Sequence, residues 1–170
     1  MAFVFLQAAL SPWLKVVFGF GPLETGLVFF FVGGVSVFTQ AVLLPILNKK
    51  LDRTTLTLCG VGVLTIGLVA LAATENLMVL FVVAALISFG FGVQIVTLNT
   101  LISLNTPEDA QGGSLGAAWA IAGLAQTITP VFAASAFSFG VSTGFVGLVF
   151  VISATISVAT VPLVLSFKKT

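Results

Sequence analysis

Long apolar stretches, separated by short polar breaks, make up most of this chain. A membrane-spanning α-helix needs roughly 20 apolar residues to cross a hydrocarbon core of about 30 Å. Five stretches reach that length, and they cover residues 26–47, 54–73, 77–104, 113–139 and 144–167. The pattern therefore predicts an all-α integral membrane protein that crosses the bilayer several times.

The composition agrees with that class and argues against others. Hydrophobic residues make up 59% of the chain and charged residues 6%, and the net charge of +1 offers little attraction to nucleic acid. The sequence has no histidine and a single cysteine, Cys59, so we expect no metal site of the Cys/His type. It also has no P-loop and no carboxylate pair suited to acid–base chemistry. We therefore expect neither a cofactor nor enzymatic activity.

The basic residues predict the orientation of the chain in the membrane. Lys49, Lys50 and Arg53 lie in the break that follows the first long stretch. Lys168 and Lys169 follow the last stretch, four crossings later, so both basic groups lie on the same side. The positive-inside rule assigns that side to the cytoplasm. We expect a multi-pass protein of a bacterial or archaeal plasma membrane with its C-terminus in the cytoplasm.

The first apolar segment is shorter than the others. Residues 1–14 would rise only about 21 Å as a helix before Lys15, which must reach water. We interpret residues 1–17 as the outer part of a span whose inner part is missing. The alternative is a tilted helix that runs to Phe20 in a thinned bilayer. On either interpretation, residues 1–170 form one domain with six membrane segments.

The second and fifth segments share a pattern. In each, a glycine precedes a glutamine by 14 residues, and a proline follows the glutamine within five residues. The residues are Gly26, Gln40 and Pro45 in the second segment, and Gly112, Gln126 and Pro130 in the fifth. The two segments enter the membrane from opposite sides on the predicted topology. Such a match favours a 3+3 inverted repeat.

Several motifs resemble those of a known transporter family. The run 18–26, the pair Gly33-Gly34, and Asp52-Arg53 look like helices 7 to 9 of the major facilitator superfamily. Residues 105–112 and Thr129-Pro130 look like the junction of its helices 10 and 11, closest to the tetracycline and multidrug proton-antiporter branch. The resemblance covers the whole chain as the C-terminal half, helices 7–12, of a twelve-helix carrier. It implies a six-helix half-bundle whose first helix is truncated.

The resemblance also implies a function. It implies secondary active transport of a small organic solute, of the drug or metabolite efflux type, by alternating access. The implied partners are the lipid bilayer, the missing N-terminal six-helix half and the small-molecule substrate. Because the membrane segments hold no titratable residue near their middle, a coupling residue is expected in the missing half. The alternative is a stand-alone six-helix membrane protein that acts as a homodimeric carrier or as a non-transporting scaffold subunit.

Intramembrane amides are candidate site residues, because a polar group in lipid must find a partner or water. Together with aromatic residues on the same helical faces, they give the candidates for the substrate cavity, which are Gln7, Phe29, Gln94, Trp119 and Gln126. In the fourth segment Gln94 and Asn99 lie about 140° apart around the helix. They cannot both face the cavity centre, and we favour Gln94 because it is nearer the bilayer middle.

A second set of residues is predicted to join helices or to gate the cavity. Its members are Gln40, Asp52, Arg53, Asn99 and Pro130. Asp52 and Arg53 either lock the cytoplasmic side closed, as the resemblance implies, or only anchor the topology. Pro130 predicts a helix kink.

The remaining features of the fifth segment have structural interpretations. Gly112, Gly116 and Gly123 lie on one face, which favours close packing against another helix, as in GxxxG motifs. Glu108 and Asp109 precede this segment, where acidic residues favour a helix N-terminus, and we expect them to cap it.

Overall fold

The computed structural model describes residues 2–166, and its elements are α-helical apart from two short irregular turns. In chain order the helices are α1 (Ala2–Phe18), α2 (Pro22–Phe38), α3 (Leu44–Leu47), α4 (Arg53–Ala72), α5 (Leu77–Leu104), α6 (Gln111–Ser142), α7 (Leu148–Val158) and α8 (Val161–Ser166). A π-helical turn, Thr39–Leu43, joins α2 to α3, and a 3₁₀ turn, Glu108–Ala110, precedes α6. The all-α prediction is confirmed for residues 2–166.

Within residues 2–166, four continuous helical stretches are long and apolar enough to cross a membrane. They are Pro22–Leu47, Arg53–Ala72, Leu77–Leu104 and Glu108–Ser142. α1 has 17 residues, which rise roughly 25 Å, less than a hydrocarbon core of about 30 Å. α7 is shorter still, with 11 residues.

The last predicted span, 144–167, differs from the observed helices. α6 runs on to Ser142, so α7 begins only at Leu148, and the helix breaks before α8. Pro162 explains the break, because it has no N–H to bond the Val158 carbonyl. Lys168 and Lys169, used for the topology, lie outside the described residues.

Local sequence sets the helix ends. Asp52 caps α4 by accepting a bond from the Thr54 N–H (3.2 Å), and Asn76 caps α5 by accepting one from the Met78 N–H (2.9 Å). Gly19 (φ 70°) follows α1 and Gly144 (φ 78°) follows α6, in the left-handed conformation that glycine adopts most readily. The predicted capping by Glu108 and Asp109 is wrong. They form the 3₁₀ turn, and the start of α6 has no side-chain cap.

The larger of two hydrophobic clusters found among residues 2–166 lies at one end of the bundle, and a smaller one is formed by Leu44, Leu56 and Val93. In the larger cluster the last turns of α1 meet the start of α7, and the Trp13 indole packs edge-on against the Phe150 ring, with centroids 5.2 Å apart. Both residues are 1% exposed or less. Val28 of α2, the C-terminal part of α4, the N-terminal part of α5 and Ala133 of α6 complete this core. α1, α4, α5 and α7 are therefore held together mainly at this end.

α4 and α5 pack along a seam of glycines. A Cβ atom added to Gly90 would lie 2.7 Å from both the Gly60 carbonyl oxygen and the Leu64 nitrogen, and one added to Gly67 would lie 2.7 Å from Ile87 Cγ1. Without side chains at these positions, the two backbones approach closely. This contact fixes the rotation of α5 about its own axis.

α2 and α6 are the least buried of the long helices. In their most apolar 18 residues 17% are buried, against 44% for α4 and for α5. A Cβ added to Gly112, Gly116 or Gly123 of α6 would meet nothing within 4 Å. Among residues 2–166 these glycines therefore pack against no other helix, and the close packing in the bundle belongs to α4 and α5 instead.

Candidate functional site

A cleft of about 490 Å³ lies between α1, α5 and α6. Its polar lining comes from all three helices: Gln7 from α1, Asn99 from α5, and Trp119 and Gln126 from α6. Aliphatic and phenyl side chains form the remaining walls. The structure thus brings together three of the five candidates for the substrate cavity with one residue from the other set.

The cleft opens at the end of the bundle opposite the core. Phe3, in the first turn of α1, stacks on Phe91 of α5 with ring centroids 3.6 Å apart and planes 9° apart. α5 continues for 13 residues beyond Phe91, to Leu104, which corresponds to roughly 20 Å. This last part of α5 and the first part of α6 line the cleft. On the predicted topology, this end is cytoplasmic.

A hydrogen bond ties α5 to α6 near the mouth of the cleft. The Ser103 hydroxyl donates to the Gln111 side-chain oxygen at 3.0 Å, across the connection between the two helices. Sequence reasoning missed this pair. A signal was present, because Ser103 is in the last turn of α5 and Gln111 is the first residue of α6.

Gln126 offers two polar groups to the cleft region. Its side chain is exposed and lines the cleft. Its main-chain carbonyl would normally bond the N–H four residues later, but that residue is Pro130, which has none. Pro130 lies inside α6, as predicted, so the Gln126 carbonyl lacks its usual donor four residues later.

The two tryptophans occupy opposite environments. Trp119 is 48% exposed and lines the cleft, whereas Trp13 is 1% exposed and lies in the core. The indole of Trp119 combines an apolar face with an N–H donor, and such side chains are common in binding sites. Trp13 is a packing residue.

The structure reverses the expected positions of Gln94 and Asn99. Asn99, expected to bond another helix, lines the cleft, and Gln94, favoured for the cavity, lies outside it. Gln94 follows Gly90 by four residues, so it shares the face of α5 that packs against α4. Around the helix the two amides point in different directions, as predicted, and the role of Gln94 in a substrate cavity stays a prediction.

Phe29 lines a smaller cavity next to the cleft. This cavity, of about 220 Å³, lies between α1, α2 and α5. Gln7, Phe3 and Phe91 line both spaces. Phe29 is therefore a neighbour of the cleft and lines only the smaller cavity.

Gln40 lies in the π-helical turn and its side chain bonds its own helix. Its side-chain nitrogen donates to the Ser36 hydroxyl at 3.1 Å, so this bond does not join two helices as expected. The turn has a local cause. The Leu44 N–H donates to the Thr39 carbonyl, and Pro45 has no N–H to continue the α-helical pattern. The gating role of Gln40 stays a prediction.

Asp52 and Arg53 lie at the start of α4, away from the cleft. The carboxylate of Asp52 serves as the helix cap described above. Arg53 lines a small polar cavity of about 250 Å³ with Asn48 and Thr100. The capping role was missed by sequence reasoning, although aspartate before a helix is a common cap. The locking role of the pair stays a prediction.

A family model described as Major Facilitator Superfamily matches residues 1–130 of the chain. Neither the curated proteins nor the solved structures give a match. The matched region ends inside α6, so it contains all the residues that line the cleft.

Proposed function

The chain belongs to the Major Facilitator Superfamily, a family of membrane transporters of small solutes, and from this premise we propose that it is one half of a secondary active carrier. It supplies the C-terminal six-helix half of a twelve-helix protein, organised as a 3+3 inverted repeat. An N-terminal half packs against it. The cleft between α1, α5 and α6 contributes this half's share of the solute site, and alternating access exposes the site to either side of the membrane.

The observation that carries this proposal is the convergence of polar groups in an apolar cleft. Amides from three positions and one indole meet between three helices, in a space of about 490 Å³. Pockets for small molecules typically measure about 300–1,000 Å³ and combine apolar walls with a few polar groups. The cleft has these properties.

The lining of the cleft favours a particular class of solute. None of the residues that line it is charged, so a solute with a localised charge would lose hydration without gaining an ion pair. Trp119 can hold a flat apolar ring or a delocalised cation against its face, and the amides can bond carbonyl or hydroxyl groups. A flat organic molecule that is neutral or carries a delocalised charge suits these groups.

Efflux and proton coupling are finer parts of the proposal. The motif at residues 105–112 and the Thr129-Pro130 pair support the tetracycline and multidrug branch, whose members exchange solute for protons. No titratable side chain lines the cleft. We therefore assign the coupling residue to the N-terminal half.

A homodimeric carrier is the second candidate. The observation that favours it is the exposed surface of α2 and α6, which a second copy would cover as well as a different half would. The two candidates share the solute cleft and differ in the partner, so polypeptide mass separates them.

Variants in the cleft test the transport role. We expect Trp119→Ala and Gln126→Leu, made in the complete carrier, each to raise the KM for ethidium or tetracycline efflux from cells about threefold to tenfold, because each removes a contact with the solute. Membrane insertion should stay normal. Ser135→Ala is the control, because Ser135 lies on the same helix outside the cleft and bonds the Val131 carbonyl. Unchanged uptake and efflux kinetics in both cleft variants would remove them from the site.

A further inference from the structure

The small polar cavity lined by Arg53 lies where the end of α3, the start of α4 and the last part of α5 meet. Asn48 follows α3, Arg53 is the first residue of α4, and Thr97 and Thr100 belong to α5. Among residues 2–166, this cavity and the cleft have no lining residue in common. The break that contains Asn48 joins two stretches long enough to cross a membrane, so the cavity lies at a membrane surface.

The charge at this cavity is positive. Arg53 is exposed, and among the described residues no carboxylate lines the cavity. The nearest carboxylate in sequence, that of Asp52, accepts a bond from the Thr54 N–H instead. Lys49 and Lys50 are exposed in the same break and add positive charge. A guanidinium binds phosphate through two parallel hydrogen bonds, so the cavity suits a phosphate group.

The two threonines of the cavity can accept hydrogen bonds from a ligand. The Thr97 hydroxyl donates to the Val93 carbonyl and the Thr100 hydroxyl donates to the Val96 carbonyl, both at 2.8 Å. Their hydrogens are therefore used within α5, whereas each oxygen keeps lone pairs that can accept. Thr100 is half-buried, so its oxygen is the more accessible of the two. A phosphate that carries hydroxyl groups beside it matches this lining better than a bare phosphate.

Exposed aliphatic side chains beside the cavity favour a lipid over a soluble phosphate. Ile46 is 52% exposed and Leu51 is 39% exposed, and each lies two residues before a cavity residue. Acyl chains can cover such side chains, and a soluble phosphate cannot. Basic residues next to a membrane helix also attract anionic lipids.

We propose that this cavity binds the headgroup of an anionic phospholipid whose headgroup carries hydroxyls, such as phosphatidylglycerol. The Arg53 guanidinium binds the phosphate, and the glycerol hydroxyls donate to Thr100, so no single ligand atom has to reach both residues. The Asn48 amide lines the same cavity and can donate to either part of the headgroup. The site does not depend on the transport proposal.

A pair of lipids with equal charge tests the headgroup. The native protein is purified in detergent and titrated with dioleoyl phosphatidylglycerol or dioleoyl phosphatidylethanol, and native mass spectrometry counts the bound lipids. Phosphatidylethanol has the same chains and charge but no headgroup hydroxyl, so we expect it to bind about threefold to tenfold more weakly, the value of one hydrogen bond. Equal affinities would refute the hydroxylated headgroup. Displacement of the lipid by millimolar glycerol phosphate would show a soluble phosphate site instead.

Matched variants test the two contacts. Arg53→Gln should lower the affinity for both lipids about tenfold or more, because it removes a charged partner of the phosphate. Thr100→Val should lower the affinity for phosphatidylglycerol about threefold to tenfold and leave that for phosphatidylethanol unchanged.

Each variant has a control of the same type elsewhere in the chain. Lys15→Gln removes one positive charge in the last turn of α1, and Thr65→Val removes a hydroxyl that donates to a carbonyl of α4. Equal losses in Arg53→Gln and Lys15→Gln would refute the site, because a general attraction to anionic lipid would explain both. If Arg53→Gln does not fold, the nearly isosteric Thr100→Val decides the question. Unchanged lipid preference in Thr100→Val would refute the proposed headgroup contact.

Discussion

At the scale of single residues, hydrogen bonding separates structural polar groups from candidate functional ones. Many serine and threonine hydroxyls donate to a carbonyl of their own helix, as Thr65 does to Val61 and Ser88 to Ala84. Such bonds satisfy a hydroxyl inside a membrane without any second helix. The side chains of Gln7, Asn99 and Gln126, which line the cleft, are too long for this local bond to be their usual one. A ligand is one partner that can satisfy them.

The glycines also fall into two groups, those in close contact with another helix and those on an open face. Alanine substitutions test this distinction. Gly90→Ala in the isolated chain should lower the free energy of unfolding by about 1–3 kcal/mol, because the new methyl group would press on the backbone of α4. Gly123→Ala, in the open face of α6, should change it by no more than about 0.5 kcal/mol. Unfolding in sodium dodecyl sulfate, followed by far-UV circular dichroism, measures both. Equal losses of stability would contradict the assigned packing seam.

At the scale of elements, α6 and the α2–α3 helix share a proline-induced defect close to a glutamine. Pro130 follows Gln126 by four residues and has no N–H, so the Gln126 carbonyl lacks its usual α-helical donor. Pro45 follows Gln40 by five residues, and there the helix takes a π-helical turn. Helices interrupted in this way bend more easily than continuous ones. Both are long helices with exposed surfaces, where a bend disturbs few contacts.

Replacing Pro130 tests whether the break in α6 matters. Pro130→Ala supplies the missing N–H, so we expect the Gln126 carbonyl to become bonded and the free energy of unfolding to rise by up to about 3 kcal/mol. Isotope-edited infrared spectroscopy of a ¹³C-labelled Gln126 carbonyl should then show its amide I band at lower wavenumber. A labelled Ile121 carbonyl, whose bonding the substitution does not alter, is the control. In the complete carrier we expect slower efflux, and an unmoved Gln126 band would contradict the account.

At the scale of the whole molecule, the bundle is tightly packed at one end and open at the other. Trp13, Phe150 and the surrounding aliphatic residues hold the packed end together. The cleft lies toward the other end, along the last turns of α5. α2 and α6 bury little surface in the chain itself. Such exposed apolar helices suit a partner that covers them.

The mass of the native polypeptide tests the identity of that partner. An epitope tag is added after Thr170 by editing the native gene. We expect a tagged product about twice 17.5 kDa or larger, because one polypeptide would contain both halves. A product near 17.5 kDa would contradict the half-carrier and favour the homodimer. In that case Gly116→Cys, in a chain whose exposed Cys59 is replaced by serine, should form a disulfide-linked dimer if α6 lies at the interface.

The sequence by itself determined the order and approximate ends of the first five helical segments, because apolar length, caps, glycines and prolines act locally, whereas the last predicted span is divided into α7 and α8. It also identified Gln7, Trp119 and Gln126, because a polar group in an apolar helix needs a partner wherever that helix lies. It gave the angle between Gln94 and Asn99 but not the side to which each points. Only the tertiary structure decided that: the close contact of Gly90 with α4 sets the rotation of α5, which turns Asn99 into the cleft and Gln94 away from it.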